Sequence, residues 1–304
     1  MTTKIIMATN KQLLSYCGII FLLSWTLQLI AIATTGDVNS ESAEAWLVGA
    51  MFVPLFVTIG FLVKNKSLRS KLAWKPNLKI FGTIIIAFLI PTVIAFLVLF
   101  VIEIMGYGNS GWFAFSADGA TISGGPFLLG LGKQSWLMFI MNILATAGAF
   151  SLMNGIPAAG EEFAWRGFLQ GQLTQRHGSI KGIVLLGFIW SMWHLPAQLA
   201  GYNFPDNPIF GSLIISPIEL ISVSLFLGWL TIKSGSFIPA AIAHGAGNSI
   251  QEGIISNINL QVPRIYEDLI TLFITVVVGL VFLYLINKRL KLDTVSVKAI
   301  ETKD

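Results

Sequence analysis

The sequence is poor in charge and nearly free of cysteine. Of its 304 residues, 11% are Asp, Glu, Lys or Arg and 55% are apolar, whereas a soluble domain carries about 25% charged residues. So little charge cannot clothe a water-facing surface, and an ordinary soluble domain is excluded. The single cysteine, Cys17, excludes an internal disulfide. No basic tract with interleaved aromatics is present, which argues against nucleic acid as a partner. Internal repeats, low-complexity tracts and linkers are also missing, so residues 1–304 read as one integral-membrane domain.

What is present is a succession of apolar runs, the pattern of an all-α, polytopic transmembrane helical bundle. Eight spans can be drawn, at about 13–34, 46–63, 81–105, 136–156, 182–200, 213–232, 238–255 and 268–287. The first follows Lys4 and Lys11 and ends on Ala31-Ile32-Ala33. At about 20 residues it exceeds the 7–15 of a cleaved signal, and it reads as a retained span.

Charges orient the drawing. The 64–80 connection carries Lys64, Lys66, Arg69, Lys71, Lys75 and Lys79 and no acid; 35–45 carries Asp37, Glu41 and Glu44 and no base. Basic loops stay in the cytoplasm, so these connections should lie on opposite sides, with both termini inside. Only Lys133 and Arg264 of the 19 Lys and Arg then fall outside. The glycine-rich stretch 106–134 reads as a long exposed outer loop, and 288–304 as a cytoplasmic tail. The expected location is the plasma membrane, multi-pass.

Against this apolar background stands Glu161-Glu162-Phe163-Ala164-Trp165-Arg166-Gly167. Ionisable groups at membrane depth are unfavourable by about 2.5–3.5 kcal/mol each and default to a functional reading. Pro157 precedes them and can kink the helix so that the acids point inward. Glu162 and Arg166 are four apart and share a helix face, while Glu161 is rotated about 100° away. The bland alternative is a helix start at the cytoplasm with acids complementing its dipole. Of three histidines, His177 follows Arg176 in a connection and reads as solvated. His194, in Trp190-Ser191-Met192-Trp193-His194, and His244, in Ala243-His244-Gly245-Ala246-Gly247-Asn248, lie inside spans. A lone span histidine is often only an interhelical hydrogen-bonder, but two with an acid pair suggest a site. His244 and Asn248 share a face, with Gly245 and Gly247 clearing space for something to approach the backbone. Depth poses a difficulty: Glu161 falls past the inner end of span four, while His194 sits about 13 residues, roughly 19 Å, into span five.

Glu161-Glu162-x-x-x-Arg166, then an aromatic-x-x-x-His194, then His244-x-x-x-Asn248, in that order on successive spans, resembles the CPBP family. These are the CAAX-protease and bacteriocin-processing intramembrane glutamic endopeptidases, also called the Abi family. Arg166-Gly167-Phe168-Leu169 resembles the rest of the first motif, and the match covers about 135–250. Where the second motif usually opens with Phe, Trp190 stands, which keeps an aromatic wall.

The resemblance implies an intramembrane endopeptidase acting through activated water. Glu161 and His194 would hold and deprotonate the water, and Glu162 paired with Arg166 would fix the geometry. His244 and Asn248 would form the oxyanion hole. The substrate would be a membrane-associated peptide or protein, of prenylated CAAX or bacteriocin-related type. No cofactor is implied. A zinc ion on His194, His244, Glu161 and Glu162 is the competing chemistry, without a His-Glu-x-x-His motif to support it. The competing class is a non-enzymatic transporter, immunity or scaffold protein in which the same polar cluster, with Glu103 and Glu219 nearby, holds an ion or peptide. Paired broken helices in two related halves, the usual transporter sign, are not seen.

Overall fold

The computed structural model describes residues 7–74 and 78–301. Lys75 and the last residues of the tail, 302–304, lie outside the described residues. Helices dominate, as a helical membrane bundle requires. Helix α1 (Asn10–Thr35) opens on a capping box in which Thr9 and Gln12 satisfy each other's backbone donors, and it ends on left-handed Gly36. Helix α2 (Glu41–Lys64) starts at the Ser40 cap, with acids in its first turn and Lys64 in its last. Helix α3 (Lys79–Ile104) returns along the bundle.

The stretch expected as a long exposed loop is folded instead. Strands β2 (Phe113–Ser116), β3 (Gly119–Ile122) and β4 (Gly132–Ser135) form an antiparallel sheet, while β1 (Gly108–Ser110) pairs with β5 (Ile258–Leu260). Phe113, Ile122 and Phe127 bury themselves beside Phe139 and Ile102, so this end has its own apolar core. Short hairpins need such a packed face to hold.

Helix α4 (Trp136–Glu162) does not stop at 156. It passes through Pro157 into a wide-turned segment, Phe163–Leu169, and then α5 (Gln170–His177), for 42 continuous residues. Proline removes one backbone donor but need not end a helix whose neighbours pack around it. In the wide segment the Gln170 N–H reaches back five residues to the Trp165 carbonyl, the spacing of a π-bulge. Gly178, at φ 82°, then turns the chain tightly into α6 (Ser179–Trp193).

This hairpin removes the depth difficulty. Glu161 lies 17 residues before Gly178 (178 − 161) and His194 lies 16 after it (194 − 178), so the antiparallel arms carry them to similar heights. Helix α7 (Leu195–Leu199) follows, and the single turn α8 (Pro208–Phe210) leads into α9 (Ser216–Ser234). Helix α10 (Ile238–Ala246) passes through a second wide segment, Gly247–Gln251, into α11 (Glu252–Ser256), and α12 (Ile265–Glu301) closes the bundle.

Among the described residues six helices are long and apolar enough to cross a membrane. They cover the first four, the sixth and the eighth of the drawn spans. The fifth is the shorter apolar helix α6, with α7 beyond His194, and the seventh is the interrupted α10–α11 run. Large apolar side chains such as Leu14, Phe81, Leu137 and Phe273 stay exposed along these helices, as they can where lipid is the solvent. The molecule is an integral membrane protein.

Candidate active site

Each carboxylate of the acid pair has its own partners. Glu162 is fully buried and accepts from Arg166 Nη1 at 2.7 Å, one turn along the same helix. The same oxygen, Oε1, lies 3.0 Å from Nδ1 of His244. Arg166, 1% exposed, donates its Nη2 to Ser224 Oγ on α9 at 2.8 Å, and its guanidinium lies 4.3 Å from the Trp190 ring centroid. A charge this deeply buried is tolerated only when paired and hydrogen-bonded, and Arg166 also gains the face of an aromatic ring.

Glu161, 1% exposed, points elsewhere. Its Oε2 accepts from the indole N–H of Trp190 at 2.8 Å and of Trp165 at 3.3 Å, which leaves Oε1 for the cavity beside it. The aromatic positions flanking the motif are therefore hydrogen-bond donors to this carboxylate as well as walls. Trp165 is four residues from Glu161 on one helix, a spacing that could have revealed it. Ser224 lies 58 residues from its partner Arg166 in an otherwise unremarkable apolar helix, and no sequence signal marks it.

His194 ends α6 and places Nδ1 2.9 Å from the Trp190 carbonyl. A carbonyl only accepts, so Nδ1 carries the hydrogen and Nε2 is left as the free acceptor. His244 sits on α10, which packs closely on α4. A side chain on Gly245 would put a carbon 2.3 Å from the Gly155 backbone nitrogen. What Gly245 lets approach the backbone is thus another helix of the same chain. At Gly247 the space is open.

Glu161, His194, His244 and Asn248 line one cavity of about 440 Å³, together with Gln28, Glu44, Asn154, Tyr202 and Glu252. Glu162 and Arg166 stand behind this wall, holding His244. The structure therefore brings together all six residues singled out by motif, four at the cavity and two in support. His177 is exposed at the α5–α6 turn, away from them. A second cavity, of about 510 Å³, shares His194, His244 and Asn248, is also lined by Trp190, and extends toward Glu219, Arg264, Glu267 and Asp268. Among the described residues no group of three or more His, Cys, Asp or Glu side chains is set to hold a metal ion.

Fold and site together define a helical integral membrane protein with a buried, hydrogen-bonded acid–histidine centre. Residues 133–250 match the family model of Rce1-like type II CAAX prenyl endopeptidases. A protein from Methanococcus maripaludis named CAAX prenyl protease 2 is 27% identical over 188 residues, which cover 58% of this chain and 59% of that protein. The alignment thus spans about three-fifths of the length of that relative. Over its motif-bearing region the chain is thus similar to CAAX prenyl endopeptidases.

Proposed function

We propose that the cavity is the active site of an intramembrane endopeptidase of the glutamic type, hydrolysing a peptide bond of a membrane-associated substrate in the plasma membrane. The observation that carries this reading is that Glu161, His194, His244 and Asn248, from three separate stretches of chain, line a single cavity. Water bound between Glu161 Oε1 and the bare Nε2 of His194 attacks the carbonyl carbon, and Glu161 takes its proton as general base. The two indole bonds to Oε2 hold the carboxylate still during the transfer.

The tetrahedral oxyanion is met by His244 and Asn248. Glu162 takes the His244 Nδ1 hydrogen, so His244 must be an imidazolium to donate from Nε2 as well. With Glu161 and Glu162 ionised and Arg166 and His244 cationic, the centre is neutral as a whole. Losing one oxyanion donor typically raises the barrier by about 2.7–4 kcal/mol. Proton return from Glu161 to the departing amine completes hydrolysis without a covalent intermediate and without a metal. The substrate types of the family, prenylated CAAX proteins and bacteriocin-related peptides, are the classes to assay.

The purified protein should cleave a membrane peptide at a defined bond, read by mass spectrometry of both products. The Glu161→Gln variant, folded to the same extent, should release neither. Equal cleavage by that variant would overturn the mechanism.

A further inference from the structure

The two ends of the bundle carry opposite charges, and the cavity opens at only one of them. Contacts identify the ends without reference to charge. Gln12 bonds Asn65, Ala8 and Arg176 bond each other, Ala73 donates to Gly167, and Trp74 pairs with Ser236. These bonds tie the N-terminal approach, the 64–74 connection, the α5–α6 turn and the α9–α10 turn into one end. At the other end β1 pairs with β5, and Gln261 donates to Tyr107.

The four segments tied together at the first end hold Lys11, Lys64, Lys66, Arg69, Arg176, Lys181 and Lys233 and, among the described residues, no acid, while the end of α12 that returns there carries Lys288, Arg289, Lys291 and Lys298 with Asp293 and Glu301. The second holds Asp37, Glu41, Glu44, Asp118, Asp206 and Glu252, against Lys133 and Arg264. The cavity is lined by Asn39, Ser40 and Glu44 from the α1–α2 turn, by Tyr202 and Asn203 beyond α7, and by Glu252. All of these belong to the acidic end. Asn203 takes a left-handed turn, φ 66°, at this rim. Among the described residues the basic connections contribute none to the lining of either cavity.

Basic connections remain in the cytoplasm. We infer that the site opens to the non-cytoplasmic face, so that its substrate is a peptide presented from that face rather than a cytosolic C-terminus. The substrate half of this inference rests on the endopeptidase reading; the sidedness half does not.

The experiment uses the full chain in intact cells with Cys17→Ala, adding either Asn39→Cys at the cavity rim or Lys66→Cys at the basic end. Both positions are exposed. A membrane-impermeant maleimide should label Asn39→Cys in intact cells and Lys66→Cys only after permeabilisation. Labelling of Lys66→Cys in intact cells, or of Asn39→Cys only after permeabilisation, would overturn the inference. Right-side-out vesicles carrying the Cys17→Ala chain should cleave externally added peptide without lysis. Cleavage only after lysis would contradict entry from this face. No cleavage in either state, in vesicles that label as expected, would fell the endopeptidase reading and leave the sidedness standing.

Discussion

Replacing Glu162 with leucine should destabilise the protein far more than replacing Glu162 and Arg166 together. Glu162 lies between Arg166 at 2.7 Å and His244 at 3.0 Å, and neither Glu162 nor Arg166 reaches solvent. Removing the carboxylate strands the guanidinium with one neutral hydroxyl, Ser224, and the face of Trp190. Two unit charges 4 Å apart attract by about 4 kcal/mol at an effective dielectric constant of about 20. Breaking a buried pair by deleting one partner destabilises by about 3–5 kcal/mol, while apolar replacement of both partners is often neutral or stabilising. The single variant Glu162→Leu should therefore lose about 3–5 kcal/mol, and Glu162→Leu/Arg166→Met should recover most of that loss. The assay is the midpoint of unfolding on titrating mixed micelles with SDS, followed by far-UV circular dichroism. A double variant as unstable as the single would refute the claim that an orphaned Arg166 charge is what destabilises it. Both variants should be inactive, because His244 loses the acceptor that holds it.

Trp190→Phe keeps an aromatic ring, though a smaller one, and removes the 2.8 Å donor to Glu161. A hydrogen bond to a charged group contributes about 1.5–3 kcal/mol, so kcat should fall about ten- to hundredfold, with little change in KM in a peptide assay. Gly245→Ala forces a carbon to within 2.3 Å of the Gly155 nitrogen. The α4–α10 contact should open, with a loss of about 1–3 kcal/mol in the same unfolding assay and a drop in cleavage. Cleavage in excess chelator should proceed at the untreated rate; loss on chelation, restored by zinc, would replace the water-only mechanism with a metal-assisted one.

How much of this was legible in the sequence follows from the kind of signal involved. Helical spans are long apolar runs, and Glu162–Arg166 is a four-residue spacing on one face, so both can be read locally. The end of span four could not be. The apolar run ends at 156 and Pro157 reads as a kink, whereas packing carries the helix on to His177 through a π-bulge. That continuation sets Glu161 level with His194, and it depends on neighbours that a local pattern does not contain. The small sheets at 108–135 were missed because their strands are three or four residues long and two of them end in glycine-rich turns. Gly245 is legible as clearing space beside the backbone, but what fills that space, Gly155, is 90 residues away in sequence (245 − 155) and leaves no local sign. Trp165 and Trp190 were legible as aromatic positions, and their N–H bonds to Glu161 became visible only with side chains in place.

The most direct test is the single-turnover rate of peptide cleavage by the wild-type protein and by Glu161→Gln, at matched unfolding midpoints. A positioned general base contributes about 10²- to 10⁴-fold. The account predicts a fall of at least that order, with peptide binding retained. A Glu161→Gln variant that cleaves within a few-fold of wild type would contradict it.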